Sequence, residues 1–571
     1  AVTALARKGL VELREVRPSD AFLASAQEPL AIPERLTEHQ EKALSEIRPC
    51  LRGGRFSVFL LHGITGSGKT EVYLRAAQET VALGRTVLYL VPEIALTPQT
   101  VHRLSSRFED VAVFHSALSD GERNEAWRRV RSGRSSVALG TRSAVFAPVA
   151  DLGLIVIDEE HESTFKQDTS PRYHARTVAI ERARRTGAVV VLGSASPSLE
   201  AYAAARSGAY RMLTLPQRVE QRPLPPVQVV DLRYDKGHMR YGRNLSRELA
   251  HYVEEALSLG EQVLLFMNRR GFAATVHCPR CGHVFFCANC AVPLTYHRKG
   301  SCLLCHYCLA RADLPRECPE CLSPNLSFRG RGTERIEQEI AQQFPEARAL
   351  RMDSDAASTR DFYRLAFEDF GKRRIDILVG TQVIAKGLDF PNVTVVGVIL
   401  ADVALSLPDF RASERAFQLL SQVAGRAGRG AKGGRVVIQT YDPESLPVQA
   451  ARAHDYERFA ERELADRELH GYPPSGRLVQ AVASAVNESA AAKACGALAQ
   501  ALRGALANEP GVKVLGPAPA PFPRLAGRYR YHVLVKAPLE LNVSELLAPV
   551  VTKFKAGAAA ITVDVDPQSV L

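Results

Sequence analysis

The sequence predicts an α/β protein of two parallel-sheet lobes, the second interrupted by a small cysteine-rich insert, with an α+β domain at the carboxyl end. Three observations carry this. Apolar strand-like runs end repeatedly in Gly, Thr, Arg, Asp or Glu, as buried parallel strands do where their carboxyl ends face a ligand. Four Cys-x2-Cys pairs fall within residues 278–321. From about residue 471 the order becomes strand, helix, strand, strand, helix, strand.

The totals agree with several domains. At 571 residues the chain has room for three or four, and 46% hydrophobic content supports well-filled cores. A formal net charge of +11 points to a polyanionic partner. Only Cys50 and Cys495 lie outside the cysteine stretch, which argues for a reducing compartment. No uninterrupted apolar run is long enough to span a bilayer, so no membrane role is expected. Leu5 to Leu13 reads as a helix end, a Gly turn and a strand, the way a winged-helix module passes into its wing. Residues 1–30 are therefore expected to be a winged-helix remnant or linker, with further sequence upstream.

The first lobe, residues 31–215, carries the chemistry. The apolar strand Phe56–Leu61 runs into Gly63-Ile-Thr-Gly66-Ser-Gly68-Lys69-Thr70 and then a helix. Strand, GxxxxGKT, helix is the context of a phosphate-binding loop. Glycines let backbone N–H groups face phosphates, Lys69 neutralises the β- and γ-phosphates, and Thr70 is placed for Mg²⁺. Gln40, from Leu36–Gln40 ahead of a helix, is a further candidate nucleotide contact. Strand Leu154–Ile157 ends in Asp158-Glu159-Glu160-His161. Asp158 can ligate Mg²⁺ through water, and Glu159 can orient the attacking water for in-line displacement. The segment from Glu162 to Arg176 mixes aromatics with cations and lacks helical periodicity. That suits a loop whose Phe165 and Tyr173 stack on bases while Lys166 and Arg172 meet phosphates. Arg142, at the end of strand Val137–Gly140, is a further candidate on nucleic acid. The strand Val189–Leu192 ends in Gly193-Ser-Ala-Ser-Pro197, read as a switch between nucleotide and nucleic acid.

The second lobe spans 216–271 and 330–470, around an insert at 272–329. Gly380–Phe390 supplies Gln382 and Lys386, the latter a nucleic-acid contact. Gln422–Gly430 is read as helical. Three residues apart, Arg426 and Arg429 would then share a face and serve as arginine fingers. Eight insert cysteines, Cys278, Cys281, Cys287, Cys290, Cys305, Cys308, Cys318 and Cys321, have the spacing of two closed, tetrahedral Zn²⁺ sites. Cys302 leaves the ligand set open. In the last domain, 471–571, the basic, proline-rich stretch 517–530 is read as a connection that either binds nucleic acid or is simply solvated.

The motifs GITGSGKT (63–70), GTRSAVFAP (140–148), DEEH (158–161) with KQDTSPRYHAR, GTERIE (332–337), VGTQVIAKGLDFPNVT (379–394) and QVAGRAGRG (422–430) together resemble the superfamily 2 helicases. With the cysteine insert, the match is close to the PriA family of bacterial replication-restart helicases. The resemblance covers nearly all of the chain, without the family's amino-terminal DNA-binding region. It implies two RecA-like lobes; the element order of the last domain reads as ferredoxin-like, and with no coiled-coil pattern a monomer is expected. It implies an ATP- and Mg²⁺-dependent 3′→5′ DNA helicase with two Zn²⁺, acting on single-stranded and forked DNA. It also implies single-stranded-DNA-binding protein and other primosome proteins as partners, in the bacterial cytoplasm at the nucleoid. Its zinc pairing would be nested: Cys278, Cys281, Cys318 and Cys321 at one site, Cys287, Cys290, Cys305 and Cys308 at the other. The competing readings are an ATPase-independent fork-binding platform and an RNA helicase of the same superfamily.

Overall fold

The computed structural model describes residues 33–93, 98–115, 118–219, 223–235, 244–267, 276–297, 302–328, 334–352, 360–381, 384, 390–428 and 432–571. The expected winged-helix remnant, Gln382, Lys386 and Arg429 lie outside these. The chain forms two compact units. One ends at Pro197 and takes in Ala205–Val219; the other comprises Ser198–Ala204 and the chain beyond Val219.

The first unit is a seven-stranded parallel sheet. Its strands are β1 (Ser57–Gly63), β2 (Thr86–Leu90), β3 (Val111–Phe114), β4 (Val137–Gly140), β5 (Leu152–Asp158), β6 (Val189–Ser194) and β7 (Arg211–Leu215). They lie in the order β3-β4-β2-β5-β6-β1-β7. The strands are near-continuous Val, Leu and Ile because helices cover both faces; every residue of β2 and β6 is buried. The order sets the carboxyl ends of β5, β6 and β1 side by side. DEEH, Gly193–Pro197 and the phosphate-loop candidate thus meet along one crevice.

In the second unit, β8 (Val227–Asp231), β9 (Gln262–Phe266), β15 (Ala349–Met352), β16 (Ile377–Gly380), β17 (Val393–Val398) and β18 (Arg435–Thr440) form a parallel sheet, β15-β16-β9-β17-β18-β8. The cysteine insert leaves from β9 and returns before β15. It holds the short strands β10 (Val276–His277), β11 (Thr295–His297), β12 (Cys302–Leu304), β13 (Arg311–Asp313) and β14 (Ser327–Phe328). Last come β19 (Arg477–Ala485), β20 (Lys513–Leu525), β21 (Arg528–Ala537) and β22 (Ala560–Val565), with helices Glu488–Ala505 and Val543–Lys553. Their antiparallel order, β20-β21-β19-β22, makes this domain ferredoxin-like.

Two expectations are corrected here. The stretch 517–530 is not an open connection: β20 runs to Leu525 and pairs with β21 across a turn at Ala526-Gly527. Alternate residues of an edge strand need no partner for their N–H groups, so prolines at 517, 519, 521 and 523 are tolerated there. Likewise, Arg426 is not helical. The helix Ala412–Ala424 ends at Gly425, and Gly428 has φ 65°, which an α-helix does not continue. The one-face argument for Arg426 and Arg429 therefore fails.

The second unit holds a buried charge cluster. Arg467, 2% exposed, meets Glu414 at 2.8 Å and Glu463 at 3.2 Å. Arg411 bridges Glu414 (3.3 Å) and Glu200 (2.7 Å), while Asp409 accepts from Arg415 (3.0 Å) and Ser569 (2.8 Å). Removing one partner from such a cluster strands a charge in low dielectric. Arg467→Met is expected to destabilise this unit by about 3–5 kcal/mol. A loss under about 1 kcal/mol in chemical denaturation, typical of an exposed pair, would contradict that view.

Candidate functional site

The loop from Ile64 to Gly68 joins β1 to the helix Lys69–Ala82, two residues earlier than the sequence suggests. Its carbonyl groups are drawn away from the loop's interior. Thr65 O accepts from Arg218 Nε (3.2 Å) and Gly66 O from the Val219 N–H (3.1 Å). Gln40 Nε2 donates to Ser67 O (3.1 Å) and Gly68 O (3.4 Å). The Ser67 N–H is taken by Ile64 O at 3.1 Å, and the remaining amides at this helix N-terminus can form an anion-binding nest. Gln40 belongs to the first turn of the helix Glu38–Arg52, where its Oε1 also accepts the Thr37 N–H at 2.9 Å in a capping box. Its side chain is thus committed to bracing the loop. A Cβ at residue 68 would lie 2.2 Å from Gln40 Nε2, so only Gly68 permits this contact. Arg218 and Val219 gave no sequence signal, because they come from the end of the unit, about 150 residues away. Lys69 Nζ donates to Gly63 O at 2.8 Å, and Thr70 follows it in the helix's first turn.

At the end of β5, Asp158 accepts from the Glu159 N–H (3.0 Å) and from Tyr73 Oη (3.3 Å). Burial pushes the Asp158 carboxyl up to about 6, Glu159 adds to this, and Lys69 opposes it. Glu159 has left-handed backbone, φ 49°, strain of a kind that concentrates at functional sites. Its buried Oε2 has no hydrogen-bond partner. Asp158, beside a partly exposed Glu159 whose Oε2 stands 3.6 Å from His161 Nδ1, fits a hydrated Mg²⁺ and a water to be oriented.

Tyr73 was not legible as part of this site. It reaches Asp158 only because residue 193 is glycine: a Cβ there would sit 1.4 Å from Tyr73 Oη. Tyr73 is wholly buried and cannot step aside. Gly193→Ala is therefore expected to destabilise the first unit by about 1–3 kcal/mol, an overpacking cost. A Gly193→Ala protein with wild-type denaturation and an undisturbed Tyr73–Asp158 bond would refute this. The strand ends are also joined: His161 Nδ1 and Ser194 Oγ are 2.7 Å apart, and the Glu160 N–H donates to Gly193 O at 3.0 Å.

The segment after DEEH is built differently from its sequence reading. Phe165 is 1% exposed and Lys166 5% exposed. As a correction, Phe165 cannot stack on bases, nor can Lys166 offer an open cation to phosphate. A turn at Ser163–Phe165 sends the ring into the core, and Lys166 pairs with His174 in a short antiparallel bridge. Arg142 donates to Thr164 O (3.2 Å) and Lys166 O (2.8 Å), so it acts as a strut for this segment. Arg172 and Tyr173 are half-buried. Arg176 pairs with the buried Glu160 of DEEH at 2.6 Å, which ties the segment to the end of β5. Arg426, half-buried in the turn after its helix, belongs to the second unit.

In the cysteine insert, four knuckles repeat one geometry. The carbonyl of each first cysteine (Cys278, Cys287, Cys305, Cys318) accepts the N–H of the residue after the pair (Gly282, Ala291, Leu309, Leu322) at 2.8–3.0 Å. Each of those four residues is left-handed, three of them without being glycine. All eleven cysteines are free thiols, which excludes a disulfide framework. Two tetrads form: Cys278, Cys281, Cys318 and Cys321, and Cys287, Cys290, Cys305 and Cys308, each with its sulfurs within 4.8 Å of one another. Sulfur pairs stand 3.4–3.6 Å apart. Tetrahedral zinc with Zn–S bonds of about 2.3 Å asks for roughly 3.8 Å. Burial pushes the Cys287 thiol up to about 11, while hydrogen bonding from Cys290 pulls Cys305 down to about 5. The donor sets fit zinc. Cys302, on β12, is in neither tetrad, so Cys302→Ser is expected to retain the full metal content in elemental analysis. Loss of one metal equivalent would place Cys302 among the ligands.

The inner tetrad lies in a core shared with other parts of the unit. Cys287, Cys290 and Cys305 pack with Phe410 and Tyr472 and with Leu478, Leu534 and Val570 of the last domain. Tyr472 Oη donates to Cys290 O at 3.0 Å, His532 Nε2 to His306 O at 2.6 Å, and His306 Nδ1 to Pro519 O at 2.8 Å.

Comparison with known proteins matches four family descriptions. They are DEAD/DEAH box helicase over residues 37–204, helicase conserved C-terminal domain over 331–431, PriA DNA helicase Cys-rich region domain over 287–312, and primosomal protein N C-terminal domain over 468–568. The replication restart protein PriA of Bacillus subtilis is 44% identical over 542 residues, 94% of this chain and 67% of that protein. That of Synechocystis is 42% identical over 581 residues, covering 100% and 69%. That of Treponema pallidum is 42% identical over 538 residues, covering 94% and 80%.

Proposed function

The chain belongs to the replication restart protein PriA family, and on that premise we propose that it is an ATP-dependent DNA helicase. It translocates 3′→5′, acts at stalled or abandoned replication forks, and initiates primosome assembly there. The observation that carries this reading is the meeting of three strand ends in the first unit, with the braced phosphate loop, Asp158–Glu159 and Ser194 side by side.

Each group has a task. The amides of Gly66–Lys69 and the Lys69 ammonium hold the β- and γ-phosphates of ATP. Thr70 and Asp158 would hold Mg²⁺, which would neutralise charge on the phosphates. Glu159 orients the attacking water and takes up its proton as the γ-phosphate is displaced. Arg426 and Arg429 stay proposed as arginine fingers on the strength of the family motif alone. The His161–Ser194 contact and the Arg176–Glu160 pair carry changes at these carboxylates to the segment proposed to meet DNA, where Tyr173 and Arg172 remain candidate contacts; Lys386 is a further one. Each cysteine tetrad would hold one Zn²⁺, which would tie the insert together. The proposed partners are single-stranded and forked DNA, single-stranded-DNA-binding protein and other primosome proteins. The proposed setting is the bacterial cytoplasm at the nucleoid. No helix among the described residues is long and apolar enough to cross a membrane.

The test is ATP hydrolysis with and without single-stranded DNA, paired with unwinding of 3′-tailed and 5′-tailed duplexes. Strong stimulation by DNA, with unwinding of one tail polarity, is expected. Hydrolysis indifferent to DNA would overturn the motor reading. Stronger stimulation by RNA than by DNA would shift the substrate class.

A further inference from the structure

Phe146 has no role in the reading above, yet it is the most exposed large apolar side chain among the described residues of the first unit, at 49%. It closes the single turn Arg142–Phe146 after β4. Isolated exposed apolar residues are common, but this one is held in place on both sides. The Arg182 guanidinium, from the helix Ala175–Thr186, donates to Ala147 O at 3.1 Å and also to Val145 O. The backbone carbonyls flanking Phe146 are thereby fixed by one side chain. A second aromatic, Tyr173, from the segment after DEEH, sets its ring edge-on to Phe146 at 4.9 Å with an interplanar angle of 72°. Arg142 bonds the Tyr173 side chain and the carbonyls of Thr164 and Lys166. Two rings from stretches 27 residues apart in sequence are thus presented together on a frame braced by two arginines.

We infer that Phe146, with Tyr173, is a stacking platform for an unpaired nucleobase. This rests on the reading of the chain as a DNA-binding motor and adds to it a contact in a motif, GTRSAVFAP, where the sequence singled out Arg142. The chemistry selects a base and not a phosphate. Arg142 is spent on backbone carbonyls and Lys166 is buried, whereas the Phe146 ring is exposed. Stacking on a ring is tolerant of base identity, because every base has a π-face. The platform therefore supplies grip without sequence preference, as a translocating motor needs.

The experiment uses the full chain at one fixed salt concentration, because phosphate contacts make affinity salt-dependent. Dissociation constants are measured for an oligo-dT strand and for an abasic strand of equal length. Phe146→Ala is expected to weaken oligo-dT binding roughly 5- to 150-fold, the range of one base–aromatic stack, and to leave abasic binding unchanged. Phe146→Leu, which keeps bulk but no ring, should lose as alanine does; Phe146→Trp should retain binding. An equal loss on both strands, a loss restored by leucine, or no loss overturns the platform. If the wild-type chain binds neither strand, the motor reading falls and the platform with it; if wild type binds both strands and Phe146→Ala changes nothing, only the platform falls. Unchanged thermal unfolding of the alanine variant separates a lost contact from a lost fold.

Discussion

Replacing Lys69 with alanine is expected to lower ATP turnover by about 10³-fold or more, the scale on which a charge-stabilising cation acts in phosphoryl transfer. DNA affinity should stay unchanged. The structure gives the reason for the separation. Lys69 starts the helix behind a loop whose carbonyls are held back by Gln40, Arg218 and Val219, and its ammonium rests 2.8 Å from Gly63 O. Its surroundings are the loop and the helix N-terminus, while the aromatic pair Phe146–Tyr173 lies at the end of β4 and beyond DEEH. Alanine at residue 69 leaves the amide nest intact, so nucleotide binding weakens less than turnover. Hydrolysis is followed with saturating single-stranded DNA, and DNA affinity is measured separately. Hydrolysis persisting near the wild-type rate would remove the phosphate-loop assignment. A fork-dependent assembly activity that survives without hydrolysis would favour the platform over the motor.

The second large effect concerns metal. Cys290→Ser is expected to release the inner metal and with it the docking of the carboxyl-terminal domain. Structural zinc contributes on the order of 10 kcal/mol to small metal-dependent modules. Here the tetrad is part of a core with Phe410, Tyr472, Leu478, Leu534 and Val570, and Cys290 O accepts from Tyr472 Oη. Losing the cation frees the left-handed knuckles at Ala291 and Leu309 to relax, and the packing they fix goes with them. Cys281→Ser in the outer tetrad, which lies outside that core, should release its own metal and spare the docking. Elemental analysis counts the ions, and hydrogen exchange across residues 477–565 reports the docking. Equal exchange in the two variants would contradict the asymmetry. Full zinc content in Cys290→Ser would remove that residue from the ligand set.

Much of the molecule was readable residue by residue. GITGSGKT and DEEH stand at strand ends because an apolar run of buried length must stop where backbone and charge turn to a ligand, and both facts are local. The cysteine pairs were equally plain, since a Cys-x2-Cys turn needs only its own four residues to set two sulfurs together. The ferredoxin-like order followed from alternating apolar patterns of ordinary length. Distant packing was not visible. Phe165 stands among polar residues (Ser163, Thr164, Lys166) and Phe146 among apolar ones (Ala144, Val145, Ala147), yet the first is 1% and the second 49% exposed. Composition cannot decide between them, because burial depends on which segments fold over a side chain, and these come from elsewhere in the chain. The same holds for Lys166, a cation by sequence and an interior group by structure. Arg142 likewise became a brace because the carbonyls of Thr164 and Lys166 were brought within its reach. The bonds of Tyr73 to Asp158 and of Arg218 to the phosphate loop span 85 and 153 residues. The sequence alone thus determined the two parallel-sheet lobes and the cysteine knuckles, both set by local pattern. The tertiary structure alone decided which aromatic faces outward, which cations are already engaged and what holds the phosphate loop open, because each depends on contacts between residues far apart in the chain.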